Sequence, residues 1–243
     1  MPLPYLSGET GWLDTKLRRQ LNMIRLWLRV INMPENRIPK KIFSWDKQNC
    51  RKNNWASEVK AILEKCDLLE YYQESSTLGL SEKTFLDIVK EKLFEICSEK
   101  WKNEVISMPK LRTYVKLKDD YSQELILGEN ISIKQRSAIS KFRSGTFPIE
   151  IEIGRYRSKP ISERLCKTCS NSEIEDEMHF LMQCSTYRTV RSAMINIVEE
   201  KLDIHSDELN KDELFKILLT TPEIACDVAN YLISALNKRS SRV

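Results

Sequence analysis

The stretch Arg164–Cys184, RLCKTCSNSEIEDEMHFLMQC, holds three of the chain's seven cysteines and one of its two histidines. Cys166, Cys169, His179 and Cys184 stand in the order Cys-x2-Cys-x9-His-x4-Cys. A Cys-x2-Cys turn aims two thiolates at one centre, and a second pair on the following segment completes a tetrahedron around a divalent ion, Zn²⁺ above all. Four protein ligands leave no open position for water, so the expectation is a structural zinc, one per chain, bracing a unit too small to build its own core. No His-x-Glu stands beside it to act as a deaminase acid/base. The pattern predicts a helix starting near Ser172. Residues 179 and 184 lie about 140° apart on a regular helix, so that helix should end between them, with Cys184 at or just past its last turn. Glu173, Glu175, Asp176 and Glu177 then occupy its first turn, where the dipole favours acids. One of them is expected to take the second ring proton of His179.

Outward from this knuckle, helical periodicity dominates. Leu13, Leu17, Leu21, Ile24, Leu28 and Ile31 recur at spacings of three and four, and the remaining positions carry Lys16, Arg18, Arg19, Arg25 and Arg29. Pro34 stops this helix, and residues 33–41, MPENRIPKK, read as a linker. Further helices are predicted from Trp55 to Cys66 and from about Ser81 to Ser107, the latter capped by Ser81 and followed by Pro109. LRTYVKLK alternates weakly and suggests a strand or extended link. ISIKQRSAISKFRSG suits a helix stopped by Gly145. FPIEIEIG alternates apolar residues with Glu150 and Glu152, the pattern of a short half-exposed strand. Three more helices are expected after Cys184. The predicted fold is mainly α: a helical, bundle-like N-terminal half over 1–118, and a small zinc-stabilised C-terminal module over 119–243 that combines a short strand or extended segment with helices. Cys50, Cys66, Cys97 and Cys226 match no ligand spacing and read as free core cysteines. His205 reads as an exposed polar residue.

Charge is uneven. Residues 131–170 carry nine Lys and Arg against three Glu, a net +6 in a chain whose total is +4. Lys134, Arg136, Lys141, Arg143, Arg155, Arg157, Lys159 and Arg164 are interleaved with Phe142, Phe147 and Tyr156, a combination that tracks a phosphate backbone and offers stacking faces. A solvated helix face followed by a charged loop would look the same.

The run from Ser137 to Arg191 resembles the zinc-binding module C-terminal to the reverse transcriptases of non-LTR (LINE-like) retrotransposons. The likeness is carried by the Arg143-Ser-Gly145 turn, Pro148, Gly154-Arg155-Tyr156, the Arg164-Leu-Cys-x2-Cys knuckle, Glu175-Asp176-Glu177-x-His179-Phe-Leu and Cys184-x2-Tyr-x3-Arg. It covers roughly a quarter of the chain, and residues 8–33 and 111–121 look like the helical segment that precedes such modules. The resemblance implies an element-encoded or host-retained fragment whose zinc unit helps grip RNA or DNA. It does not imply polymerase activity, because the palm needs an aromatic-x-Asp-Asp hairpin with a further aspartate to hold two Mg²⁺ ions. Asp119-Asp120 has no such surroundings, and no nuclease-like cluster follows Cys184.

With 41% apolar and 30% charged residues the chain can bury a core and remain soluble. No apolar run approaches the roughly 20 residues that span a bilayer. The first residues lack the shape of a secretory signal, so a reducing, intracellular setting, nuclear or cytoplasmic, is expected. The function these observations favour is non-catalytic binding of RNA or single-stranded DNA through Lys134, Arg136, Lys141, Arg143, Arg155, Tyr156, Arg157, Lys159 and Arg164. The alternative is a helical interaction scaffold in which zinc only braces the fold. Its partner would be a reverse transcriptase polymerase domain or another helical chain, met through helices 13–33 and 81–107 and through Trp12, Trp27, Trp55 and Trp101.

Overall fold

The computed structural model describes residues 1–49 and 54–240; Cys50 therefore lies outside the described residues. The chain is mostly helical. Among the described residues there is no strand, only the isolated bridges Thr10–Gln123 and Leu165–Ile174. It divides into two compact units, Trp12–Lys100 and Met1–Gly11 with Trp101–Val243. The division at 118/119 suggested by the sequence falls inside the larger unit. After α1 (Leu3–Thr10), which belongs to the larger unit, the smaller one holds α2 (Thr15–Ile31), α3 (Ile38–Asn49), α4 (Trp55–Lys65), α5 (Leu69–Glu74) and α6 (Glu82–Ser107) as far as Lys100.

Capping and apolar spacing explain the smaller unit. Asp14 accepts the Leu17 N–H at 2.8 Å to start α2, and Ser81 accepts the Thr84 N–H at 3.1 Å to start α6. Leu17, Leu21, Ile24, Leu28 and Ile31 are buried, as their spacing requires. Trp27 fills the centre against Phe85, ring to ring at 5.8 Å, and Phe43 packs on Trp55 and Tyr72. Trp27 and Trp101 are core residues and offer no interface, whereas Trp12 is exposed. The expected linker gives way to helix at Ile38. Pro39 falls in the first turn of α3, where its missing N–H leaves no bond unmade, and Lys40 donates to the Ile31 carbonyl at the end of α2 at 2.7 Å.

The larger unit continues with α7 (Arg112–Leu117), α8 (Ile133–Arg143), α9 (Glu150–Tyr156), α10 (Arg188–Leu202), α11 (Lys211–Thr220) and α12 (Ala225–Ser240). Helices α8, α10 and α11 pack on α12. Phe180 sits at the middle of the core, with Tyr187 at 4.8 Å and Phe147 at 5.5 Å. Two extended segments expected from alternation are helical instead. In LRTYVKLK the buried apolar residues are Leu111, Tyr114 and Leu117, a period of three. In FPIEIEIG Ile149 and Ile151 are buried and so are both glutamates, because Glu150 and Glu152 each have cationic partners. A two-sided buried helix of one or two turns and a half-exposed strand share the same letters.

Gly145 ends α8 in the left-handed region at φ 64, and the Thr146 N–H returns to the Lys141 carbonyl at 2.8 Å. A Cβ there would stand 2.1 Å from the Lys110 carbonyl oxygen, so no other residue fits. Just before it, Arg143 is fully buried. Its guanidinium donates to the Leu219 carbonyl and pairs with Glu9 at 2.7 Å and Glu124 at 3.2 Å. Burial lowers its affinity for the proton, but Glu9, Tyr5 and Glu124 outweigh this and hold it charged. Arg143 thus joins α1, α8 and the segment after α7, and it is not available to a phosphate. Removing one partner of a buried pair strands the other, so Arg143→Ala should lower the unfolding free energy by about 3–5 kcal/mol in a denaturant titration. A loss under about 1 kcal/mol would contradict this placement.

Candidate metal centre

The knuckle is a short hairpin. The Cys166 N–H donates to the Glu173 carbonyl at 2.8 Å, and the Glu175 N–H returns to the Arg164 carbonyl at 3.0 Å, so that Leu165 and Ile174 pair. Ser172 turns the chain in the left-handed region at φ 53. The predicted helix therefore does not begin there: residues 173–176 are extended, and helical structure starts only at Glu177. Asp176 caps it by accepting the His179 N–H at 2.7 Å. From His179 to Gln183 the chain forms a single π turn, closed by the Cys184 N–H on the His179 carbonyl at 2.7 Å. A wider turn that bonds i to i+5 brings residues five apart onto one side. Cys184 ends the helix, as the spacing requires.

The result is one cluster. The donor atoms of Cys166, Cys169, His179 and Cys184 all lie within 4.8 Å of one another and could hold a metal ion. Cys166 and Cys184 sulfurs are 3.9 Å apart, and Cys169 Sγ stands 3.5 Å from His179 Nε2. Nδ1 of the same ring lies 2.9 Å from Glu173 Oε2, which fixes the tautomer that leaves Nε2 for an ion. The Cys184 sulfur beside it drives Cys166 far below the usual thiol range, while Cys166 pushes Cys184 up. Burial alone would lower His179, but Cys166 and Glu173 raise it. A divalent ion displaces protons from such a set of soft donors.

Each acid of the loop has its own partner in place of a shared helix dipole. Glu173 holds the His179 ring, Asp176 caps it, and Glu177 receives both nitrogens of Arg112 at 3.1 and 2.5 Å. Glu175 is fully buried; it accepts the Glu150 N–H at 2.8 Å and pairs with Arg239 of α12. Burial pushes Glu175 up in spite of Arg239. Tyr231, also on α12, donates to the Phe180 carbonyl inside the π turn at 2.8 Å. These supports, together with Thr168 beside both Cys166 and Cys184, have no signature in the spacing of the sequence.

The basic residues separate into two groups. Arg143 is internal, and Arg164 donates to the Lys159 and Ile151 carbonyls, holding α9 against the knuckle. Arg136 donates to the Glu129 carbonyl at 2.9 Å, and Lys159 is half-buried. Phe147 is buried and offers no stacking face. Arg155, Tyr156 and Arg157 remain exposed together at the end of α9, and Lys134 and Lys141 lie exposed on α8. Tyr156 is 72% exposed, with the Arg155 guanidinium 4.5 Å above its ring and Lys110, which the sequence did not single out, at 5.9 Å. Arg155 is anchored by Glu152 through two bonds of 2.8 and 2.9 Å. Cys66 and Cys97 are buried and Cys226 half-buried, with no disulfide among them, and His205 is exposed.

No protein-family model, no curated protein and no solved structure matches the chain. The likeness to the retroelement module thus rests on the motif residues themselves.

If Glu173 orients His179, Glu173→Gln should weaken binding of a divalent probe such as Co²⁺ by about 10–100-fold in a chelator competition. An unchanged affinity would remove Glu173 from the centre.

Proposed function

We propose that the chain is a non-catalytic nucleic-acid-binding fragment of a retroelement reverse transcriptase, organised by one structural Zn²⁺ on Cys166, Cys169, His179 and Cys184. The choice of zinc follows from donor type and distance. Zn–S bonds of about 2.3 Å and Zn–N bonds of about 2.0 Å make tetrahedral edges of about 3.8 Å between sulfurs and about 3.5 Å between sulfur and nitrogen. Two of the separations here, Cys166 to Cys184 and Cys169 to His179, are 3.9 and 3.5 Å, and all four donors lie within 4.8 Å of one another. Three thiolates and one imidazole favour Zn²⁺ over hard cations, and a full set of protein ligands suits a brace better than a catalyst.

The observation that carries the binding function is the exposed Arg155-Tyr156-Arg157 triplet on α9. An exposed ring with a guanidinium over its face is a platform on which an unpaired base stacks, and the flanking cations suit its phosphates. Arg164 supports the platform from behind by tying Lys159 and Ile151 to the start of the knuckle. Loss of zinc would release that support. RNA or single-stranded DNA fits this arrangement better than duplex read by sequence, since an exposed ring reads a base only once it is unstacked. No helix of the described residues is long and apolar enough to cross a membrane, and an intracellular, reducing setting is the one that keeps the three thiols reduced.

Binding of a fluorescent RNA 20-mer should weaken linearly with log salt. Arg157→Ala and Tyr156→Ala, both at exposed positions, should leave the fold intact. The tyrosine variant should lose about 1–3 kcal/mol of stacking, or roughly 5- to 150-fold in affinity. Wild-type affinity in both variants would rule out the α9 platform.

A further inference from the structure

We propose that α2 is a second nucleic-acid-binding surface, separate from the zinc module, in which Arg18, Arg25 and Arg29 form a row that grips a phosphate backbone. This deepens the nucleic-acid reading above and rests on it, but it uses a different unit of the molecule. Residues 12–54 contain eleven Lys and Arg against three Asp and Glu, a net +8, a greater excess than the +6 of residues 131–170. Helix α2 itself carries Lys16, Arg18, Arg19, Arg25 and Arg29 and no acid. All five are exposed, and none makes an ion pair among the described residues.

Their placement is not what helix stability asks for. A cation near the C-terminus of a helix is favoured by the dipole and one near the N-terminus disfavoured, by about 0.3–1 kcal/mol each. Arg29 in the last turn has that intrinsic reason. Lys16, Arg18 and Arg19 crowd the first turns, where the dipole opposes them. Arg18 donates to the Leu13 carbonyl at 2.7 Å and Asp14 caps the same end, whereas Lys16 and Arg19 have no ion-pair partner among the described residues and face solvent.

Geometry narrows the choice of anion. At 100° per residue Arg18, Arg25 and Arg29 fall within about 40° of one another, with Asn22 beside them. The row runs eleven residues, about 16 Å along the helix at 1.5 Å per residue. Asn22 accepts a bond from Arg25 at 2.8 Å, which steadies the middle of the row. At its N-terminal end Trp12 is 64% exposed, and the Arg18 guanidinium lies 5.4 Å from the ring centroid. A line of arginines ending on an aromatic face is a match for phosphates followed by an unstacked base. The opposite face of α2, Leu17, Leu21, Ile24, Trp27, Leu28 and Ile31, is buried inside the unit, so the helix has no apolar side to lay into a lipid surface. An acidic protein would need its anchor near the centre of the contact, whereas the exposed ring of this row, Trp12, stands at its end, where a base can stack.

The test compares three variants of the full chain by salt titration of RNA 20-mer binding. The first replaces Arg18, Arg25 and Arg29 with Gln; the second is a charge-matched control at exposed Lys60, Lys83 and Lys90; the third replaces Arg155 and Arg157. Three contacts at about 0.7 each should cut the salt slope by about 2 in the first variant, with affinity near physiological salt falling at least about tenfold. The control should keep the wild-type slope. An unchanged slope in the α2 variant, or an equal drop in the control, overturns the proposal. So does displacement of RNA by poly-glutamate at equal charge concentration, which would assign the row to acidic protein. Loss of slope in the α2 variant alone leaves this surface standing and removes the α9 platform, whereas loss in the third alone does the reverse. Absence of RNA binding by the wild-type chain ends both.

Discussion

His179 and Cys184 have to face one point although five residues separate them, and a regular helix would turn them about 140° apart. The single π turn between them meets that demand, and much of the larger unit is arranged around it. A turn that bonds i to i+5 breaks the local pattern of donors and acceptors, so its carbonyls need partners from elsewhere. Tyr231 provides one by donating to Phe180, and Arg191 another by donating to the Cys184 carbonyl at 3.0 Å. Because Tyr231 stands on α12, and Arg239 of the same helix pairs with both Glu150 and Glu175, the C-terminal helix buttresses the hairpin and the turn together. The four clustered donors are therefore held in place by the core.

The buried carboxylates follow the same logic. Glu9, Glu150, Glu152, Glu175 and Glu177 are all inside, each against at least one cation. A carboxylate in a low-dielectric interior persists as an ion only when paired and hydrogen-bonded. This is why a window of high net charge is a poor guide to surface. Within the basic run between 131 and 170, Arg143 is wholly internal and Arg155 and Lys167 pair with buried Glu152 and Glu150, while Lys134, Lys141 and Arg157 stay exposed without such a partner. Helix α2 is the opposite case: its cations have no acids to neutralise, and they stay at the surface.

Legibility in the sequence tracked how local each cause is. The four clustered donors could be named from spacing, because coordination chemistry asks for such residue types in such an order, and the apolar stripes of α2 and α6 were legible because 3.6-residue periodicity needs only the residues themselves. Glu173 was foreseeable as one of four acids, but which one depends on the hairpin that places it. Residues 147–154 suggest a strand by their alternation but form a helix, because Ile-Glu alternation means an exposed face only if the glutamates lack buried partners, and Lys167, Lys110 and Arg239 are apart from them in sequence. The helix expected from Ser172 failed for a similar reason. Cys166 needs an antiparallel return strand beside it, and the pairing with Glu173 takes up the residues that would have formed the first turn. Arg143 and Arg164 could not be told from surface arginines, since their partners come from α1, α11 and the backbone of α9. The cations of α2 are legible in the sequence, but that they lack ion-pair partners is not, since partners can come from any part of the chain.

Three sulfurs and one imidazole converge where they could hold one metal ion, and the proposal makes that ion zinc. X-ray absorption at the zinc edge of the purified full chain measures that shell directly. The account predicts one zinc per chain with three sulfurs at about 2.3 Å and one nitrogen at about 2.0 Å. A shell of oxygen and nitrogen only, or protein that retains no zinc after purification under reducing conditions, would contradict it.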